Sequence, residues 1–211
     1  MSSFRDRRDA GRQLARLAER YRGPDTAVLG LARGGVPVAF EVAAHIGAPL
    51  DVMVARKIGA PQQPEFGIGA IAPGGVRIID PRSVEAVGAT QVEIDQIVGE
   101  EEGEMRRRFL AYRGEATPPD VRGKTVLLVD DGLATGVTAR AAVASLRKQQ
   151  PRRVVLAVPV GAPESIEAIR SEFDDVLVLD APADFRAVGL WYDNFEQTTD
   201  EEVTALLRQA Q

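Results

Sequence analysis

The sequence predicts an α/β fold: a doubly wound, mainly parallel sheet with a small Gly/Pro-rich hood or hairpin appendage and one long helix. Three observations lead there. Short apolar runs of strand length alternate with segments of helical periodicity, the pattern of βαβ units. Those runs are continuously apolar, as expected of strands buried on both faces. One interval, Lys57 to Asp80, interrupts the alternation with Gly and Pro.

The elements follow in order. Asp6 to Tyr21 places Leu14, Leu17 and Ala18 at helical spacing, and Gly23 and Pro24 stop it. Thr26–Ala32 (TAVLGLA) reads as a first strand, Val38–Gly47 as a helix and Leu50–Arg56 (LDVMVAR) as a second strand. Within the Gly/Pro-rich interval, APGG joins Phe66–Ile71 to Val76–Ile79 as a hairpin. Thr90 to Tyr112 is a long helix, because Thr90 and Glu93 have capping-box spacing and Ile94, Ile97, Val98, Met105, Phe109 and Tyr112 form an apolar stripe. Glu102–Arg106 and Glu104–Arg108 are i,i+4 pairs that read as a solvated face. Beyond the loop GEATPPDVRGK come strand Thr125–Val129, a helix from about Val137, strand Arg153–Val160, a helix with Pro163 in its first turn, and strand Asp175–Asp180. FRAVGLWYDNF contains a strand-like piece, and Thr199 with Glu202 caps a terminal helix.

Composition narrows the function classes. The chain of 211 residues has 26 Lys and Arg against 31 Asp and Glu, a net charge of −5, which gives no general attraction to nucleic acid. It has no Cys, so thiolate catalysis, disulfides and cysteine metal sites are excluded. The single histidine, His45, falls in a helix and reads as structural. The polar start MSSFRDRRDAGRQ lacks a signal-peptide core and no run approaches a membrane span, so a cytoplasmic protein without membrane or nucleic-acid partners is expected.

The chemistry concentrates in VLLVDDGLATGVT, Val126–Thr138. Adjacent Asp130 and Asp131 repel each other and suit a ligand crevice better than a core. In an open parallel sheet, ligands bind beyond the carboxyl ends of the strands. The small residues that follow let backbone N–H groups approach an anion, and a helix N-terminus favours phosphate. Acceptors on one half of the loop and donors on the other suit a sugar phosphate. Neither the G-x-x-x-x-G-K-[ST] loop nor the G-x-G-x-x-G fingerprint is present.

Four apolar residues, two acids and A-T-G-x-T resemble the ribose-5-phosphate loop of type I phosphoribosyltransferases. LARGG (Leu31–Gly35) resembles the family's pyrophosphate turn, and ARK (Ala55–Lys57) a basic residue at the same edge. FRAVGLWYDNF resembles the hood of purine-type members. The resemblance implies one phosphoribosyltransferase-like domain over 1–211, with residues 58–122 as an insertion of hairpin, long helix and loop, and 181–197 as hood. It implies Mg²⁺-dependent transfer of ribose 5-phosphate from phosphoribosyl pyrophosphate (PRPP) to a nitrogenous base, with a lean toward a purine-like ring. Arg33, Lys57 and Asp131 would be the catalytic groups. Arg33, Gly34, Gly35, Asp130, Asp131, Gly132, Ala134, Thr135, Gly136, Val137 and Thr138 would bind PRPP, and Phe185 or Trp191 would lie against the base. Asp130, Asp131 and Asp193 would approach the metal. The resemblance leaves a homodimer open.

The sequence departs from some purine members at Ala134, where they carry the acid that takes the base's proton. Glu65 is a candidate in its place, and Gly59–Pro64 and Gly114–Arg122 are candidate lids. Two other readings stand beside the transferase. One is a non-catalytic PRPP- or nucleotide-binding regulatory protein, and the other is a sugar-phosphate hydrolase or synthetase on the same scaffold.

Overall fold

The computed structural model describes residues 4–114 and 118–210. Its main sheet has five parallel strands: β1 (Thr26–Leu31), β2 (Leu50–Met53), β6 (Thr125–Val129), β7 (Arg153–Val160) and β8 (Asp175–Asp180), in the order β2-β1-β6-β7-β8. A second, antiparallel sheet is built from β3 (Arg56–Ala60), β4 (Gln63–Ala72) and β5 (Val76–Ile79). Among the described residues, seven α-helices accompany the strands: α1 (Arg7–Ala18), α2 (Gly35–Ile46), α3 (Pro81–Val87), α4 (Gln91–Arg113), α5 (Val137–Lys148), α6 (Pro163–Ile169) and α7 (Asp200–Gln209). Among the described residues, no helix is long and apolar enough to cross a membrane.

The strands are continuously apolar because helices cover both faces. Successive strand residues point to opposite sides, so Val28, Leu127 and Val155 pack with α1 and α2. Their neighbours Leu29, Leu128 and Leu156 pack with α5 and α6. Ala70, Ala72 and Val76 bring the small sheet into that second cluster. The other face of the small sheet, with Ile58, Ile68 and Ile71, receives Ile94 and Val98 of α4. Farther along, Phe109 and Tyr112 of the same helix join Phe40, Val52 and Leu206. The long helix therefore spans the small sheet and the body, and the Thr90–Glu93 capping box opens it.

Several expectations are corrected. The second strand ends at Met53, and Arg56–Ala60 is the first strand of the small sheet. The strand-like piece before the C-terminus is a 3₁₀ turn, Val188–Trp191, with one bridge from Tyr192 to Phe4. Helix α3 falls in a stretch with no sequence assignment. The candidate lid Gly114–Arg122 lies partly outside the described residues. The charged face of α4 is only partly solvated: Arg108 is buried, and Glu104 bonds both Arg107 and Arg108 at 2.7 and 2.8 Å. No Glu102–Arg106 pair forms among the described residues.

Hydrogen bonds from Arg107 and Arg108 hold the Glu104 carboxyl at about 2, below its ordinary 4.5. This stabilisation is present above pH 4.5 and is lost as pH falls toward 2. Glu104→Gln is expected to cost about 1 kcal/mol at neutral pH, reduced by solvent screening. In urea melts the gap to wild type should close under strong acid. A gap unchanged with pH would refute the assignment.

Candidate functional site

The strand order reverses between β1 and β6, since β2 lies to one side of β1 and β6, β7 and β8 to the other. Ligands of open α/β sheets bind at such a switch point, beyond the carboxyl ends of the strands. The turn Ala32–Gly34 leaves β1 there, and Asp130–Gly136 leaves β6. The Ala32–Arg33 peptide is cis. The two segments touch: an ideal Cβ on Gly34 would lie 2.0 Å from Asp131 Oδ2, and one on Gly35 would lie 2.4 Å from the Val129 carbonyl. Only glycine permits this approach.

Two helices begin at this crevice; in the first turn of α2 the Val36 N–H donates to the Arg33 carbonyl at 3.1 Å and Pro37 has no N–H, so α5 has the more open N-terminus. α2 starts after Gly34 and α5 after Gly136, and neither has a side-chain cap. By contrast α1, α3, α4 and α7 are capped by Asp6, Asp80, Thr90 and Thr199, while the short α6 is uncapped as well. Uncapped first-turn N–H groups at the positive end of a helix form an anion site. Gly136 enters α5 at φ 73°, a left-handed conformation that favours glycine. The loop is pinned from below by Leu133, which donates to Val160 and accepts from Ala162, both at 2.9 Å. Ser165 donates to the Ala134 carbonyl at 2.5 Å. Thr135 is exposed and Thr138 half-buried, so their hydroxyls border the same N-terminus.

Asp130 and Asp131 sit at the end of β6 with little water around them. Burial raises the Asp130 carboxyl well above its ordinary range, and repulsion from Asp131 adds to this. Burial raises Asp131 too, but Arg7 offsets part of the shift. Arg7 Nε donates to Asp131 Oδ2 at 2.8 Å, and its Nη1 to the Glu196 carbonyl at 2.7 Å. The Tyr192 hydroxyl donates to the Asp131 carbonyl at 2.6 Å. Burial, with Asp131 nearby, holds that phenol above its ordinary value.

The other expected residues lie in several different elements. Arg33 lies in the turn after β1, 3.6 Å from Asp200, which also accepts from Tyr112 at 2.5 Å and Arg107 at 2.9 Å. Lys57 does not end the second strand: it lies in β3, where its ammonium donates to the Glu65 carbonyl at 2.8 Å. Glu65 is exposed on β4. Phe185 and Trp191 pack partly buried against Phe4, Val160 and Tyr192. Among the described residues, Trp191 Nε1 is the one buried side-chain polar atom without a partner. Asp193 is exposed, and its amide donates to Phe4. No three of the described His, Cys, Asp or Glu residues gather as a metal-holding group, so Asp193 does not complete a cluster with the aspartate pair. His45 pairs with Glu19 at 2.8 Å near the surface.

Arg7 and Asp200 had no functional signal in the sequence. Arg7 is one of many arginines in a polar helix, and Tyr192 reads equally as core.

Comparison with known proteins fits this geometry. The family model for the phosphoribosyl transferase domain matches residues 4–193. Two curated relatives from Mycobacterium tuberculosis strains, each named "Putative phosphoribosyl transferase", are 44% identical over 210 residues, covering 100% of this chain and 47% of theirs. The chain thus spans about half the length of those relatives. Uracil phosphoribosyltransferase of Lactobacillus gasseri is 37% identical over 75 residues, 36% of each protein. The crystal structure of TT1426 from Thermus thermophilus superposes with a TM-score of 0.80 at 41% identity, covering 99% of both chains. An open parallel sheet, paired acids at its switch point and a family match over nearly the whole chain agree: the chain belongs to the phosphoribosyl transferase domain family.

Proposed function

We propose that this protein transfers the 5-phosphoribosyl group of PRPP to a nitrogenous base and releases pyrophosphate. The observation that carries the reading is the contact between the turn after β1 and the aspartate pair after β6, with the uncapped N-terminus of α5 beside it. The N-terminus of α5, with Thr135 and Thr138, holds the 5-phosphate. The backbone of Gly132, Ala134, Gly136 and Val137 shapes that cradle. Asp130 and Asp131 accept from the ribose hydroxyls and face the positive charge that develops as the bond to pyrophosphate breaks. Arg33, with the backbone of Gly34 and Gly35, binds the departing pyrophosphate. Fixing the phosphate at one end and the pyrophosphate at the other aligns the sugar for attack by the base.

Mg²⁺ suits this donor set. Two adjacent carboxylates are hard oxygen ligands, and Mg²⁺ is commonly held by one or two carboxylates together with substrate phosphates. Burial and the neighbouring Asp131 hold the Asp130 carboxyl well above its ordinary range, which a cation would relieve, whereas Arg7 already offsets part of the shift at Asp131. When bound, the ion would withdraw charge from the pyrophosphate leaving group.

The acceptor lies against the hood aromatics Phe185 and Trp191. Their rings lean toward a purine, whereas the partial relative from Lactobacillus gasseri is named for uracil. The test is calorimetry with PRPP and Mg²⁺, followed by a screen of uracil and the purine bases for pyrophosphate release. Binding and release with one base are expected. Binding with no release from any base would replace the transferase by a PRPP-binding regulator. Absence of binding would overturn both.

Thr135→Val is expected to weaken PRPP binding by about 1–3 kcal/mol, the value of a hydrogen bond to a charged phosphate. The loss should persist with ribose 5-phosphate as probe. Unchanged affinity for both would remove Thr135 from the cradle.

A further inference from the structure

We propose, resting on the reading above, that Arg7 is a positioning residue of this site: it orients the Asp131 carboxylate and ties it to the segment Tyr192–Glu196. One guanidinium makes three contacts, to two parts of the chain distant in sequence. It bonds Asp131 Oδ2 at 2.8 Å, bonds the Glu196 carbonyl at 2.7 Å, and lies 3.9 Å from the centre of the Phe195 ring. The side chains of Arg7 and Asp131 are only 11% and 16% exposed, so water does little to loosen the pair.

Arg7 also borders the turn after β1. An ideal Cβ on Gly34 would meet its Nε at 3.3 Å, just beyond the Asp131 oxygen. The guanidinium therefore stands where the turn, the aspartate and the C-terminal segment converge.

The position of Arg7 is itself built by that segment. Phe4 donates to the Trp191 carbonyl at 3.1 Å, Asp193 donates to Phe4 at 2.9 Å, and Asn194 donates to Arg5 at 2.9 Å. Asp6 then caps α1, which makes Arg7 its first residue. Tyr192 adds a second link in the same direction through the Asp131 carbonyl. The orientation of Asp131 and the placement of residues 192–196 are thus one arrangement with Arg7 at its centre.

Arginine is the residue this requires. Its planar fork bonds a carboxylate and a carbonyl together while its face covers an aromatic ring. A lysine ammonium is a point charge, and it can compensate Asp131 without spanning to Glu196.

The experiment compares wild type, Arg7→Gln and Arg7→Lys in two measurements. The first is amide hydrogen exchange without ligand. Both variants should exchange tenfold or more faster at residues 194–197, with α4 unaffected. The second is calorimetry with PRPP and Mg²⁺. Arg7→Gln should lose tenfold or more in affinity, Arg7→Lys should recover only part of it, and Arg7→Gln combined with Asp131→Asn should bind no more weakly than Asp131→Asn alone. Unchanged exchange in both variants overturns the tie. Affinity within threefold of wild type, full recovery by lysine, or additive losses overturn the positioning role. A wild-type protein that does not bind PRPP overturns the proposed function and the ligand part of this inference. The exchange result then still decides the tie to residues 192–196.

Discussion

Asp130→Asn is expected to stabilise the protein and to impair its binding of PRPP. In the folded chain the Asp130 carboxyl lies well above 3.8, because it is buried beside Asp131. A group whose folded value is raised holds its proton more tightly in the native state. Its stabilising contribution is therefore complete below the unfolded value of 3.8 and is lost as pH rises through the folded value. Where both acids are ionised, their repulsion destabilises the ligand-free fold. An amide removes that cost while keeping the shape. A gain of about 1 kcal/mol, or roughly 2–4 °C in melting temperature for a chain of this size, is expected. The gap to wild type should widen with rising pH. In the same variant, loss of an anionic acceptor should weaken PRPP–Mg²⁺ binding about tenfold to a hundredfold. Thermal melts from acid to neutral pH and calorimetry together check both directions. A destabilised variant, or one that binds PRPP normally, would contradict the assignment of Asp130 as a ligand-facing acid held in an unfavourable position.

The second large effect separates two neighbouring glycines. Gly34→Ala places a methyl group 2.0 Å from Asp131 Oδ2, the tip of a side chain that can rotate away. The fold should survive, but the carboxylate should lose its orientation, with a fall in PRPP affinity comparable to that of Asp131→Asn. Gly35→Ala places its methyl 2.4 Å from the Val129 carbonyl and 2.9 Å from Asp130 Cα. Those are backbone atoms of the central strand and its end, which cannot swing aside. A stability loss of about 1–3 kcal/mol is expected there, in the range of overpacking. Denaturant unfolding and calorimetry on both variants test the contrast. Equal effects on stability would remove the distinction between a mobile carboxylate and a fixed strand.

The sequence revealed the main sheet because burial on both faces leaves a continuous apolar run that needs no knowledge of the partners. Boundaries were less legible where apolar character continued through a change of sheet. Val54 and Ala55 are as buried as the strand before them, yet they lead the chain from β2 to β3. Hydropathy cannot mark that break, and Lys57 moved with it into the small sheet. Near the C-terminus, Val188–Trp191 is apolar enough for a strand, but its backbone closes into a 3₁₀ turn and only Tyr192 meets Phe4.

The site divides in the same way. Asp130, Asp131 and the Ala134–Thr138 loop were legible because strand end, acids and helix start are contiguous, so their geometry follows from local structure. The turn at Arg33–Gly35 was legible for the same reason. What the sequence by itself determined was an α/β chain with a loop of small and hydroxyl residues and two acids at a strand end. Only the tertiary structure decided how those acids are held. Arg7 reaches Asp131 across 124 residues, and Tyr192 across 61. Asp200 meets Arg33 where α7 packs beside α2. Such contacts depend on how helices and termini close over the sheet, and no local pattern of residue types encodes them.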